Sequence, residues 1–150
     1  MINARSETAH EKPSFKNLMS RKRCLIIADS FYEWKKTDKD KQPRRIELID
    51  RKLFAFAGLW DKWRDGDRDL FTCTILTKDA NDFMRDIHHR MPIILPKNKE
   101  EEWITPHNQH PAVAHEFLQT LEDNEFKAYT VQSYVNSAKN NDENCIAPLV

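Results

Sequence analysis

The spacing of apolar positions along the chain changes several times, and each change marks a predicted element. Residues 23–34 (RCLIIADSFYEW) are rich in β-branched and aromatic side chains and predict one strand. Lys35 to Pro43 reads as a charged turn. Residues 44–49 (RRIELI) and 53–58 (LFAFAG) predict a hairpin joined at Asp50-Arg51-Lys52. Leu59 to Trp63 reads as a short connector, Asp65-Gly66-Asp67 as a turn, and 70–77 (LFTCTILT) as a further strand. A short helix is expected to start at Pro13 or Ser14. A second spans 80–87, capped by Asp79, with Ala80, Phe83, Met84 and Ile87 on one face. Pro96 opens a third over 97–104. In 111–121, Val113, Phe117 and Leu121 recur at i+4 and predict an amphipathic helix. Ile93 to Leu95 is a short strand, and Lys127 to Val135 alternates as another. This order predicts a single α+β domain over 1–150, with a mostly antiparallel, barrel-like sheet core and flanking helices.

Composition narrows the function. Although mean hydropathy is −0.78, 15 aromatics in 150 residues are enough for a packed core rather than a disordered chain. No run of 18 apolar residues occurs, so no membrane span is expected, and Met1 to Glu7 has no signal-like apolar region. A cytoplasmic location follows as the expectation. Two glycines exclude both a P-loop and a GxGxxG dinucleotide site. Three cysteines, with no CxxC, point neither to a disulfide framework nor to a zinc knuckle. Cys24 and Cys73 lie in strand-like runs and are expected to be buried, inert thiols. Net charge is zero, but residues 1–63 hold 15 Lys/Arg against 9 Asp/Glu and residues 64–150 hold the reverse. That asymmetry is either a basic face or two solvated faces of opposite sign.

Three places carry candidate chemistry. His88, in Asp86-Ile87-His88-His89-Arg90-Met91-Pro92, follows a predicted helix and precedes a strand. A histidine there is either a general acid/base near neutral pH or a structural side chain. His88 and His89 are adjacent, so their side chains are expected to diverge. Glu33 shares a strand face with Phe31, while Tyr32 and Trp34 take the other. A carboxylate among aromatics is either desolvated, with a raised pKa and an acid/base role, or an exposed strand-end residue beside Lys35 and Lys36. Arg5, within Asn3-Ala4-Arg5-Ser6-Glu7-Thr8, offers a fork for phosphate or carboxylate. His88, His89, His107, His110 and His115 fit no metal-ligand signature, and neither a metal nor a cofactor is expected.

Taken in order, these segments resemble a known family. They are Asn3-Ala4-Arg5-Ser6-Glu7-Thr8, Lys12-Pro13-Ser14-Phe15, Arg23 through Lys35, Phe54 through Trp60, Thr72 through Thr77, Ile87 through Pro92, and Val135-Asn136-Ser137 with Lys139-Asn140. They look like the SRAP family, the SOS-response-associated peptidase-like proteins that process abasic sites in DNA. The resemblance implies recognition of an abasic site in single-stranded DNA. It also implies attack by an N-terminal cysteine on the ring-opened sugar aldehyde, and closure of a thiazolidine DNA–protein crosslink, with associated autopeptidase and lyase-type chemistry. By the same resemblance, Asn3 orients the sugar and Glu33 and His88 are the acid/base groups. Arg5 and Arg90 hold phosphates, and Trp34 supports the site or stacks on DNA.

The chain departs from the family pattern at its start. The family opens Met-Cys-Gly-Arg well before the Asn-Ala-Arg motif, whereas here residue 2 is Ile. The expectation is therefore a domain shortened at its N-terminus, without the cysteine nucleophile and with part of its core uncovered. Two further readings stand beside crosslinking. One is non-covalent single-strand binding through Arg5, Arg90 and the Lys/Arg clusters around 21–23 and 35–45. The other is a degenerate interaction protein that self-associates through its exposed core. A DNA-bound protein of this kind is expected at the nucleoid.

Overall fold

The computed structural model describes residues 1–105 and 110–150; His107 lies outside the described residues. In chain order the first elements are β1 (Asn3–Arg5), α1 (Ser6–Ala9), α2 (Pro13–Arg21), β2 (Arg23–Ala28), β3 (Phe31–Lys36), β4 (Lys41–Leu48) and β5 (Phe54–Asp65). There follow β6 (Arg68–Asp79), α3 (Asp82–Arg85), β7 (Arg90–Pro92), β8 (Ile94–Leu95), α4 (Glu100–Ile104), α5 (Pro111–Gln119) and β9 (Phe126–Thr130). The mixture is α+β, and its strand pairs are mostly antiparallel, as the element order predicted. Among the described residues no helix is long and apolar enough to cross a membrane. The chain folds into two compact units, each assembled from three separate stretches.

The first unit comprises Met1–Ile27, Phe54–Lys78 and Pro92–Asp123. Its sheet runs β1-β6-β5-β2, with β1 parallel to β6, β5 antiparallel to β6, and β8 antiparallel to β5. Its core is apolar: Ala9, Met19, Leu59, Leu76 and Leu95 have no exposed surface. Trp103 on α4 is also buried there, and its indole N–H donates to the Cys24 carbonyl at 3.1 Å. Gly58 is required by close approach, since a Cβ there would lie 2.8 Å from Ile26 Cδ1. Gly66 supplies the positive φ (58°) that turns β5 into β6.

The second unit comprises Ala28–Leu53, Asp79–Met91 and Asn124–Val150. Its sheet is antiparallel, in the order β3-β4-β9. A charged side chain occupies its middle. Arg45 is buried; its Nη1 lies 2.6 Å from Glu47 Oε1 and donates to the Tyr129 hydroxyl at 2.7 Å, while Nε donates to Ser30 Oγ at 3.0 Å. Tyr129 and Tyr32 pass hydrogen bonds on to the carbonyls of Ile146 and Cys145, which tie the C-terminal strap to the sheet.

Several expectations are corrected. The strand expected over 23–34 is two strands in different sheets. The break falls at Asp29-Ser30, whose side chains bond each other and are gripped by Arg45. Residues 44–49 and 53–58 do not form a hairpin: β4 pairs β3 and β9, while β5 pairs β6 and β8. The hairpin turns fall instead at Thr37–Asp40, where Thr37 N–H donates to the Asp40 carbonyl at 2.8 Å, and at Gly66. Leu59 to Trp63 is the middle of β5 rather than a connector. α3 is a single turn capped by Asn81, whose Oδ1 accepts from Met84 N–H at 2.9 Å; Asp79 does not cap it. The Lys127–Val135 strand ends at Thr130 and continues as a 3₁₀ turn over Ser133–Asn136. On α5 the most buried positions are Ala114 and Leu118, one position on from the predicted stripe. Cys73 is exposed, not buried.

Candidate functional site

The chemistry-bearing groups of the second unit gather around a cleft of about 450 Å³ lined by Glu33, Trp34, Asp40, Lys41, His88 and Asn136. β3 supplies Glu33 and Trp34 on opposite faces, as alternation requires. The loop after α3 supplies His88. That loop hangs from buried Met84, whose carbonyl accepts the N–H groups of Ile87 and His88, both at 2.8 Å, and it is closed by Ala80 N–H donating to the His89 carbonyl at 3.0 Å.

Glu33 Oε2 lies 3.9 Å from His88 Nδ1. Burial pushes the Glu33 carboxyl above its usual range, and the nearby imidazole and the Trp34 backbone hydrogen bond only partly oppose that. The same His88 nitrogen faces both polar groups of the Arg90 backbone: the N–H and the carbonyl oxygen each lie at 3.1 Å. A neutral ring with Nδ1 bare accepts from the N–H, and a ring carrying a proton there donates to the carbonyl. His88 can therefore gain or lose that proton without turning. A desolvated acid beside such an imidazole is suited to proton transfer. His89 does not diverge from His88; the rings lie 4.4 Å apart and tilted by 37°.

Trp34 is held by its indole N–H, which donates to Asn136 Oδ1 at 2.7 Å. Arg90 is buried, with Nη1 donating to Asp79 Oδ1 at 2.6 Å, so its charge is partly compensated by an exposed carboxylate. Asn3 and Arg5 belong to the first unit. On β1 they pair with Ile75 and Thr77 and are exposed, while Ala4 between them faces the core. The side-chain periodicity of a strand places both on one face.

Among the described residues no thiol lines the cleft. Cys24 is half-buried, and burial with Cys73 nearby pushes its thiol up to about 11, which suppresses the thiolate. Among the described residues no three of His, Cys, Asp and Glu gather as a metal group. His115 stacks on His10 at 4.1 Å, and His110 caps α5 through Nδ1. Asp40 carries no local sequence signal of a site, while Lys41 lies in the basic cluster around 35–45 and Asn136 in the Val135-Asn136-Ser137 motif segment, neither of which marks it as a cleft residue. Asn136 meets Trp34 from 102 positions away.

The family model described as SOS response associated peptidase (SRAP) matches residues 1–138. The chain is 52% identical over 143 residues to the abasic site processing protein YoqW of Bacillus subtilis, a match that covers 94% of this chain and 64% of that protein. It is 32% identical over 169 residues to the abasic site processing protein HMCES of Gallus gallus, covering 98% of this chain and 50% of that one. A crystal structure of a protein from Bacteroides thetaiotaomicron superposes with a TM-score of 0.85 at 31% identity, over 98% of this chain and 66% of that chain. The chain thus spans about half to two thirds of the length of the proteins it matches. Sequence and fold agree over nearly all of its residues, and the chain belongs to the SRAP family.

Proposed function

We propose that this chain processes abasic sites in single-stranded DNA, with Glu33 and His88 as its proton-transfer pair. The observation that carries this reading is the 3.9 Å approach of the two groups, one of them desolvated, in a cleft bordered by an anchored tryptophan. An abasic deoxyribose opens to an aldehyde, and every later step needs proton transfer: carbonyl activation, imine formation, or removal of the proton next to the aldehyde. His88, bonded on either side of its protonation change, serves as the base, and Glu33, whose carboxyl burial pushes above its ordinary range, as the acid. Trp34 supports or stacks on an unpaired base. Asn3 orients the sugar. Arg5, exposed on β1, holds a phosphate; Arg90 does so more weakly, because Asp79 shares its charge.

The family's crosslink needs a thiol beside an α-amine. The cysteines of this chain are a half-buried Cys24, an exposed Cys73 and a buried Cys145, all outside the cleft lining. The chemistry proposed for these residues is therefore strand binding and proton transfer, including β-elimination. In that step the 2′ proton leaves to His88, the C3′–O bond breaks and the 3′ phosphate departs. The test is incubation with single-stranded abasic DNA on denaturing gels, with and without borohydride. Cleavage that is lost in His88→Ala and Glu33→Gln, and absent with an undamaged strand, is the expected result. Cleavage unchanged by both substitutions would sink it. Salt-sensitive binding without cleavage would favour the second reading, a non-covalent single-strand binder.

A further inference from the structure

The β3–β4 hairpin opposes two lysines. In its register Trp34 pairs with Pro43 and Lys36 with Lys41, so all four side chains stand on one face. Directly opposed residues have their Cβ atoms about 5 Å apart, and like charges there are destabilising. Both lysines are exposed, and neither ammonium meets a carboxylate among the described residues. Asp40, next to Lys41, accepts the Lys41 backbone N–H through Oδ1 at 2.8 Å. The turn itself is rigid, since Thr37 Oγ1 donates to the Asp40 carbonyl at 2.8 Å and accepts the Asp40 N–H at 3.1 Å. Two cations are thus held side by side on a fixed turn, with no ion pair to either among the described residues. Lys41 also lines the Glu33–His88 cleft.

We propose that Lys36 and Lys41 clamp one phosphodiester of the bound strand, beside a base carried on Trp34. A shared phosphate relieves the repulsion that the register imposes. Along the strand, Trp34 and Lys36 are two residues apart, about 6.6 Å, a step that suits a base and its own backbone phosphate. The ammonium groups act here as charge, so arginine serves equally. The inference rests on the DNA reading above and specifies which groups hold the strand at the cleft.

The test is a salt titration of binding to a single-stranded oligonucleotide with a stable abasic analogue, read by fluorescence anisotropy. Because the pair shares one phosphate, the double variant of Lys36→Gln with Lys41→Gln is expected to lower the slope of log affinity against log salt by about 0.7, and each single substitution by less; a double-variant drop of about 1.4 would mean two separately held phosphates and would overturn the clamp. The double Arg variant should keep the wild-type slope. Lys16→Gln, which removes an exposed charge on α2, serves as the control and should leave the slope unchanged. A double Gln variant with the wild-type slope overturns the clamp. So does a double Arg variant as weak as double Gln, which would show that Lys41 acts as an amine rather than as a charge. If the wild-type chain binds no abasic strand even at low salt, the DNA reading itself falls, and the clamp with it.

Discussion

The two compact units are held together by different physics. The first encloses Met19, Leu59, Leu76, Leu95 and Trp103, side chains whose burial needs no partner. The second encloses Arg45 among Glu47, Tyr129 and Ser30, and sets Glu33 half-buried beside His88. Every group in that network depends on the others, because a buried charge that loses its partner keeps the full cost of desolvation. The unit with the acid/base cleft is also the one that stores charge. A raised carboxyl needs a poorly solvated setting, and a poorly solvated setting can be kept only where the neighbouring polar groups are satisfied.

The contrast can be broken most forcefully in the apolar unit. Trp103→Ala removes its largest buried side chain and leaves the Cys24 carbonyl without its donor. A loss of about 3–5 kcal/mol is expected, read as a lowered denaturation midpoint. In the charged unit, Arg45→Ala should cost about 3 kcal/mol, while Arg45→Met should cost less despite losing the same charge only if packing rather than pairing dominates. Equal losses in the two Arg45 variants would show that the lost pairing matters more than the lost packing, although Glu47 keeps Lys127 at 3.0 Å. Glu33→Gln should lower strand processing by about 100-fold, with folding intact by circular dichroism.

The same residue sharpens the comparison through pH. The folded protein holds the Glu33 proton to higher pH than the unfolded chain does. Between the ordinary carboxylate range and the raised value, the native state therefore binds more protons, and stability falls as pH rises. Glu33→Gln should match wild type in acid and exceed it in stability above that window, in thermal melts across pH. The smallest effect is expected at Asn136. Asn136→Ala removes one hydrogen bond to the Trp34 indole, which is worth about 1 kcal/mol, or about fivefold in affinity for the abasic strand. Tryptophan fluorescence should report the freed ring.

Much of this was legible in the residues alone. The α+β class, the β-branched run of β6, the glycine turn at Gly66 and the opposite faces of Glu33 and Trp34 follow from period and turn chemistry, which act within a few residues. The ordered motifs around Asn3, Glu33 and His88 marked the family. What the residues could not show was partnership. The break at Asp29-Ser30 is gripped by Arg45, a residue on β4 two strands on in the chain, and β4 takes β9 as its neighbour from about 80 positions away. The approach of His88 to Glu33 and of Asn136 to Trp34, and the opposed lysines of the hairpin, likewise depend on which strands pair and where the chain returns. Local propensity sets the direction in which a side chain points. The neighbours it meets, and so its burial, its charge balance and its chemistry, are decided only when distant segments close on one another.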